Sequence, residues 1–342
     1  MNSSLIISTP PHVKSKRTTK GIMLDVLISL LPCAVAGVIF FGISALVIEL
    51  VAVAFAVATE FVYYVIEKGA FKDKLKNFGK IFKEFFVKFD FTSAISGLIL
   101  ALILPSTVQW YEVAVGSIFA IALVKMVFGG TGKNLVNPAA TGRIMMFLSF
   151  SLTTFVACNI PSIFADSQIF TGATHLSGFL LGGDINAKMS LLDLFIGTGV
   201  AGCIGETSKI AILLGYLYLC VKKVIKWWQP LLFILTSAIL STVLLALSSG
   251  TFDFTHIPSF ALSGGLAFAG VFMATDYVTS PKGVYGQLVY FVALAVLTSV
   301  LRHFTKIEVV SFAIMLMNLI VPLIDRYFVR KPFGYERKKE SK

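Results

Sequence analysis

Charged residues are scarce in this 342-residue chain, where Asp, Glu, Lys and Arg together make up 14% of the sequence. Soluble domains contain about 25% charged residues and about 45–50% apolar ones, whereas 56% of this chain is hydrophobic. A soluble globular domain is therefore excluded. The apolar residues form long runs rather than short alternating segments, which excludes a transmembrane barrel. The composition predicts an all-α polytopic membrane protein.

The chain also has little that would build a soluble active site. Its four cysteines (Cys33, Cys158, Cys203 and Cys220) form no CxxC pair, so we predict no cysteine-ligated cluster within the chain alone. Its four histidines are scattered, and we predict no metal site. The sequence contains no Walker loop, dinucleotide fingerprint or nucleophile triad, and we assign no catalytic residue. Two classes remain: a channel or transporter, and a membrane subunit that carries a redox group.

The net charge of +11 does not indicate nucleic-acid binding, because Lys and Arg cluster next to apolar runs. Membrane insertion leaves such basic segments in the cytoplasm. We therefore predict that residues 1–20 and the basic tail 330–342 are cytoplasmic. Residues 67–90 interleave seven lysines with phenylalanines at helical spacing, which predicts an amphipathic helix on the membrane lipid. Residues 158–190 contain one basic residue and are predicted to form an external loop.

The apolar runs predict about ten transmembrane helices, half of them before the external loop and half after it. The first repeat covers residues 21–157 and the second covers 191–329. The third run of each half is short and broken, at Pro105 in the first half and before Pro281 in the second. An odd number of crossings in each half inverts the second repeat relative to the first. Inverted repeats with broken helices typically hold a binding site near the middle of the membrane.

Acidic residues in the predicted helix breaks are candidates for the path of a transported ion. Glu206 interrupts the sixth run and Asp276 the eighth. Carboxylates inside a membrane are costly and commonly functional. The alternative for both is capping of an interrupted helix, whose free amides favour a carboxylate. Asp25, Glu49 and Glu60 lie nearer the predicted span ends and are weaker candidates.

We predict structural roles for the basic residues that lie near the apolar runs. Lys125 and Lys133 are predicted to extend to the cytoplasmic surface. Arg143 is predicted either to anchor the chain at the membrane interface or to pair with a phosphate or carboxylate. Arg302 and Lys306 fall on the external side, where they are the one visible exception to the charge rule.

Four short motifs, in a fixed order, resemble one family. They are Lys133–Ala139 (KNLVNPA), Thr171–Thr174 (TGAT), Gly205–Ser208 (GETS) and Phe272–Asp276 (FMATD). Together they resemble the family that contains the D subunit of the Rnf complex and the B subunit of the sodium-pumping NADH:quinone oxidoreductase. The resemblance covers nearly the whole chain, and the chain length is more similar to that of the D subunit.

The resemblance implies a urea-transporter-like fold of two inverted five-helix repeats. It implies that a flavin transferase joins FMN to the hydroxyl of Thr174 through a phosphoester, with Thr171, Gly172 and Ala173 completing the motif. It further implies electron transfer between ferredoxin and NAD, coupled to Na⁺ or H⁺ movement. The partners would be A-, B-, C-, E- and G-type Rnf subunits in the bacterial cytoplasmic membrane. Some relatives hold a second flavin, riboflavin, at a site that the resemblance does not assign.

Three other functions stay open from the sequence. The chain could be a component similar to the B subunit of the quinone-reducing enzyme, a urea-transporter-like solute channel, or a purely structural subunit. A channel would conduct its solute without partner subunits, and it would not need the Thr-Gly-Ala-Thr motif. A shared fold does not decide among these functions.

Overall fold

The structure, a computed structural model, describes residues 17–68, 78–150, 191–197, 199–249 and 252–328. Every regular element in these ranges is helical, as the sequence predicts. The helices are α1 (Thr19–Phe41), α2 (Ile43–Glu67), α3 (Phe78–Lys88), α4 (Thr92–Leu102), α5 (Trp110–Phe119), α6 (Pro138–Ser149), α7 (Leu191–Ile196), α8 (Lys209–Val221), α9 (Trp228–Ser249), α10 (His256–Leu262), α11 (Leu266–Phe268), α12 (Val284–Thr305) and α13 (Val310–Tyr327). Two of them continue as π-helices, α5 over Ala120–Met126 and α11 over Ala269–Met273. The predicted external loop, with Thr171–Thr174, lies outside the described residues.

Five helices are long and apolar enough to cross a membrane by themselves: α1, α2, α9, α12 and α13. Their lengths of 18 to 25 residues bracket the roughly 20 residues that a crossing needs. Two bent pairs of helices, α3 with α4 at 70° and α10 with α11 at 65°, have the composition of a broken span or a re-entrant loop. The chain is therefore a multi-pass membrane protein with broken helices.

The helices pack in the same pattern in both halves. In the first half α2 contacts α4 and α5, and α5 contacts α6. In the second half α9 contacts α10 and α12, and α12 contacts α13. Between the halves, α1 lies on α8 and α6 lies on α13, so the first and last elements of each half face their counterparts. This is the packing expected of two repeats of five elements.

The amphipathic helix of the first half is present as α3. Phe85 is buried on this helix, and its ring lies 5.2 Å from that of Phe61 on α2. Phe82, Phe86 and Val87 are exposed. The helix thus presents one aromatic face to α2 and further apolar side chains outward, as a helix on a lipid surface does.

The hairpin of α1 and α2 defines two faces of the molecule. Gly42, whose φ of 71° is in the left-handed range, separates the two helices and reverses the chain. Here the first face means the side with Thr19 and Glu67, and the second face means the side with Gly42. Because α1 contacts α8, residues along these helices can be placed by depth between the two faces.

Close contact between α1 and α8 depends on Gly215. A methyl group at this position would overlap the carbonyl oxygen of Ser29 and lie 2.8 Å from Cζ of Phe272. We expect Gly215→Ala to lower the free energy of unfolding by about 1–3 kcal/mol, because overpacking forces the two helices apart. Thermal unfolding of the purified protein in detergent measures this loss.

Gly21 on α1 is the matched control for this prediction. A methyl group at Gly21 would meet nothing closer than 3.4 Å, the distance to the hydroxyl oxygen of Thr18. Gly21→Ala should therefore leave stability unchanged or raise it by up to about 1 kcal/mol through helix propensity. Equal losses in both variants would contradict the proposed role of the α1–α8 contact.

Candidate functional site

The broken segments of the two halves meet and satisfy each other's backbone groups. After α4 ends at Leu102, its carbonyl oxygen accepts a hydrogen bond of 2.7 Å from the amide of Gly205. The carbonyl of Leu104 accepts one of 3.0 Å from the amide of Ile204. A methyl group at Gly205 would lie 2.6 Å from Cβ of Leu102, so only glycine allows this approach. Irregular backbone is tolerated at membrane depth when it is paired within the protein in this way.

Glu206 lies in the unwound segment just before α8. Its Oε1 atom accepts a 2.9 Å hydrogen bond from the amide of Cys203. Its Oε2 atom is buried and has no hydrogen-bond partner among the described residues. The N-terminus of α8 is capped by Ser208 instead, whose hydroxyl accepts from the amide of Ala211 at 3.4 Å. Glu206 therefore stabilises a turn but does not cap the helix, and one of its oxygens is left for another ligand.

Two basic side chains are buried close to Glu206. The ammonium group of Lys209 donates to the carbonyl oxygens of Glu206 and Gly264, the latter at 3.2 Å. The guanidinium group of Arg302 donates to both carboxylate oxygens of Glu308, at 2.8 and 2.6 Å. We call Glu206, Lys209, Arg302 and Glu308 the second-face charge cluster.

The ion pair of Arg302 explains the exception to the charge rule. Arg302 is only 1% exposed, because the α12–α13 hairpin encloses it together with Glu308. The positive-inside rule concerns loops that cross the membrane during insertion. A guanidinium group that is neutralised inside the protein is outside the scope of that rule.

Asp276 lies in the other break of the second half, after the π-helix that continues α11. Its Oδ2 atom accepts from the hydroxyl of Thr279 at 3.0 Å, and its Oδ1 atom accepts from the amide of Val278 at 3.4 Å. These bonds close the turn that interrupts the span, as the bond to Glu206 does in its own break. The N-cap residue of α12 is Gly283, so Asp276 does not cap that helix. Asp276 also lines a cavity. Its role in the ion path stays a prediction.

The cavity is near the first face and is bordered by both halves. Its cavity volume is about 90 Å³, and it opens outward through a wider mouth. Polar side chains on its wall include Thr92, Lys125, Asn134, Asn137 and Asp276, and the other lining side chains are mostly apolar. The Oδ1 atom of Asn134 is buried and has no hydrogen-bond partner among the described residues. A mostly apolar cleft with a few polar groups is typical of a site for a small organic ligand.

Asn137 joins two of the sequence motifs at this cavity. Its Oδ1 atom accepts from the amides of Ala139 and Ala140, at 3.0 and 3.2 Å, and so caps α6. Its Nδ2 atom donates to the carbonyl of Met273, at 3.3 Å, where the π-helix of the second half ends. The side-chain amide of Asn137 thus caps a helix in the first repeat and donates a hydrogen bond to a backbone carbonyl at the break in the second repeat.

The prediction that Lys125 extends to the surface is wrong. The side chain is buried, and its ammonium group donates to Glu60 at 2.9 Å, to Thr92 at 2.5 Å and to Ser93 at 2.8 Å. A buried carboxylate on α2 and two hydroxyls on α4 replace the water that the ammonium group would otherwise seek.

Arg143 is not an interfacial anchor either, because it is buried with Nη2 at 3.6 Å from Sγ of Cys203.

The two predicted ion-path residues occupy different surroundings. Glu206 belongs to the second-face charge cluster, whereas Asp276 lines the first-face cavity.

The sequence interpretation missed the burial of Glu49, which lies on α2 with 6% exposure. The available signal was a carboxylate in the first two turns of an apolar run, with apolar residues on both sides. The motif residues Thr171, Gly172, Ala173 and Thr174 lie outside the part of the chain that the structure describes.

Residues 6–334 match the model of the NQR2, RnfD, RnfE family. The chain is 37% identical over 343 residues to the D subunit of the Na⁺-translocating ferredoxin:NAD⁺ oxidoreductase complex of Acetobacterium woodii, with 99% of this chain and 98% of that protein covered. It is 36% identical over 345 residues to the D subunit of the proton-translocating ferredoxin:NAD⁺ oxidoreductase complex of Clostridium ljungdahlii, with 97% and 96% covered. The D subunit of an ion-translocating oxidoreductase complex of Stutzerimonas stutzeri is 33% identical, with 94% and 93% covered.

Proposed function

Because this chain belongs to the NQR2, RnfD, RnfE family, we propose that it is the D-type membrane subunit of an ion-translocating ferredoxin:NAD⁺ oxidoreductase. The observation that carries this proposal is the similarity along 99% of the chain to a relative that is named as such a subunit. Other subunits of the Rnf type complete the enzyme. Electron transfer through the complex is coupled to movement of Na⁺ or H⁺, since relatives of similar identity are named for each ion.

The redox group of this subunit is proposed to be FMN, joined to Thr174 through a phosphoester by a flavin transferase. Support comes from the order Thr171, Gly172, Ala173, Thr174 and from the resemblance of that motif to the family pattern. A flavin supplies electron-transfer chemistry, while the protein supplies its position and surroundings. A covalent bond keeps the group at one membrane face without a deep pocket.

The first-face cavity is the proposed place for a second flavin, riboflavin. Its apolar walls suit the flat ring system, and the free Oδ1 atom of Asn134 suits a ring or ribityl hydrogen-bond donor. Asn137 and Asp276 are held by backbone bonds on the same wall, so they would orient such a ligand rather than move with it. The ammonium group of Lys125 is on the same wall, paired with the carboxylate of Glu60 at 2.9 Å.

We place the subunit in the bacterial cytoplasmic membrane, with both termini and the first face in the cytoplasm. Lys14, Lys16 and Arg17 precede α1, Lys20 is in its first turn, and the tail after α13 is strongly basic. Basic residues next to spans stay on the cytoplasmic side during insertion. The loop that contains Thr174 would then be external. The lysine-rich helix α3 would contact anionic lipid of the inner leaflet.

Loss of covalent flavin in Thr174→Ala tests the proposed function. We expect wild-type chain, produced with its flavin transferase, to show flavin fluorescence at its own mass in a denaturing gel. Thr174→Ala should lose this signal completely, and the assembled complex should lose nearly all ferredoxin:NAD⁺ electron transfer. Peptide mass measurement on native membranes would show FMN on the peptide that contains Thr174.

Thr171→Ser is the matched control, because it keeps a hydroxyl at the first position of the motif. It should retain both the fluorescent band and electron transfer. An unmodified Thr174 in native membranes would refute the flavin assignment. Normal electron transfer and ion transport in Thr174→Ala would instead favour a structural subunit.

A further inference from the structure

Two acidic residues on one face of α2 differ in whether a counter-charge lies beside them. Glu49 and Glu60 are three helical turns apart, which puts both on the same face at a separation of roughly 16 Å. Glu60 is neutralised by the ammonium group of Lys125 at 2.9 Å. Glu49 is 6% exposed, and its Oε1 atom has no hydrogen-bond partner within the described ranges. One carboxylate is therefore compensated and the other is not.

The free oxygen of Glu49 faces the broken segment that precedes α8. A methyl group at Gly37 of α1 would lie 3.3 Å from Oε1 of Glu49 and 3.2 Å from the carbonyl oxygen of Ile204. Both oxygens thus lie beside Gly37, where the Cγ2 methyl of Ile204 fills the space between α1 and the unwound segment. Three elements, α1, α2 and the unwound segment, meet there. The space lies toward the second face, because Glu49 is in the second turn of α2 after Gly42.

A second unpartnered carboxylate oxygen lies two residues further along that segment. Oε2 of Glu206 is buried and lies beside Gly265, where a methyl group would be 2.6 Å from it. Glu206 itself is 5% exposed. Two carboxylates, each more than nine-tenths buried and each with a free oxygen, are therefore found at the unwound segment: that of Glu49 is beside Ile204, and that of Glu206 belongs to the residue two positions further on.

The nearby cations are already engaged with other groups. Arg302 is bonded to both oxygens of Glu308, and Lys209 is bonded to the carbonyls of Glu206 and Gly264. Within the described residues, Glu49 is in no ion pair. Two thiols are also on this side: Cys33 on α1 is within electrostatic range of both Glu49 and Lys209, and Cys203, next to Ile204, is within electrostatic range of Lys209. A buried carboxylate without a counter-charge must hold a proton or a cation to remain inside a membrane.

We propose that Glu49, with Glu206 two residues beyond Ile204, takes up the monovalent cation that the complex translocates. The shared chemistry is a carboxylate that holds either H⁺ as a carboxyl group or Na⁺ between carboxylate and carbonyl oxygens. No bond other than these is made or broken, and the electrons move elsewhere in the complex. This inference rests on the proposed function and names a residue that performs it.

The experiment uses the complete complex in sealed proteoliposomes. Electron transfer from reduced ferredoxin to NAD⁺ is measured with an ionophore present, and ion movement is measured without it. The two ion readouts are ²²Na⁺ uptake and the internal pH. For Glu49→Gln we expect electron transfer within twofold of wild type and at least a tenfold drop in ions moved per electron. Glu206→Gln should act in the same direction.

Glu67→Gln is the matched control, because it makes the same change at an exposed position of α2. It should leave both readouts unchanged. Glu49→Asp should recover part of the ion movement, because it restores a carboxylate. The thermal unfolding temperature of Glu49→Gln should be no lower than that of wild type, since an uncompensated charge is removed.

The outcomes separate this inference from the proposed function. Loss only of ²²Na⁺ uptake assigns Na⁺ to Glu49, and loss only of the pH change assigns H⁺; either supports the proposal. Wild-type ion movement per electron in Glu49→Gln overturns it, as does an equal fall in electron transfer and ion movement. A wild-type complex that moves electrons from ferredoxin to NAD⁺ without moving any ion would instead overturn the proposed function.

Discussion

Lys125→Met is expected to lower the free energy of unfolding by about 3–5 kcal/mol, the cost of leaving a buried partner charge uncompensated. The ammonium group of Lys125 is the ion-pair partner of Glu60, whose side chain is 13% exposed. Methionine has similar length and no charge, so packing is largely kept while the carboxylate of Glu60 is left without a counter-charge. The hydroxyl groups of Thr92 and Ser93 would lose their donor as well. Reversible unfolding in mixed micelles measures the loss.

A double-mutant cycle separates the charge effect from packing. Glu60→Gln in the Lys125→Met background removes the orphaned charge and should recover at least half of the lost stability. Lys133→Met is the matched control, because Lys133 is exposed and belongs to the same segment of chain. Its effect should stay within about 0.5 kcal/mol. A double variant no more stable than Lys125→Met would show that the ion pair is not the reason.

Arg302→Met should destabilise the second repeat by a comparable amount, about 3–5 kcal/mol. Arg302 donates to both oxygens of Glu308, and the pair is enclosed at the α12–α13 turn. Without the guanidinium group, the Glu308 carboxylate keeps only weak bonds from the amides of Gly265 and Val310, at 3.3 and 3.4 Å. Detergent-solubilised protein should therefore unfold at a clearly lower temperature.

Lys306→Met is the control for Arg302, because it removes a positive charge one turn further along the same segment. Lys306 is half-buried at the end of α12, and we expect a change within about 0.5 kcal/mol. Adding Glu308→Gln to Arg302→Met should restore much of the stability. If Lys306→Met proved as harmful as Arg302→Met, net charge at this face rather than the buried pair would be responsible.

These two pairs show where sequence interpretation succeeded and where it failed. The break near Pro105 was predicted correctly, because proline lacks the amide hydrogen that a helix interior needs and its ring crowds the preceding turn, although Pro32 and Pro322 are accommodated inside α1 and α13. The interruption before α8 was predicted for the same local reason, since Gly202 and Gly205 weaken a helix. Lys125 was misplaced, because its partner lies 65 residues away and no local pattern reveals it.

The two candidate ion-path residues illustrate the same division. The sequence placed Glu206 and Asp276 in helix breaks, and the structure finds both there. It could not distinguish them, because capping and ion binding use the same residue type. Only the hydrogen bonds show that both oxygens of Asp276 are satisfied while one oxygen of Glu206 is free.

The sequence by itself determined the helical membrane class, the broken elements and the family, because run length, prolines, glycines and short motifs are local properties of the chain. The tertiary structure alone decided which buried charges are compensated. A charge in a membrane is stabilised by whatever group the packing of helices brings within reach, and that distance is not encoded in spacing along the sequence. For this reason Glu60 and Glu49, three turns apart on one helix, differ in function: Glu60 is paired with Lys125, whereas Glu49 is the proposed site for the translocated cation.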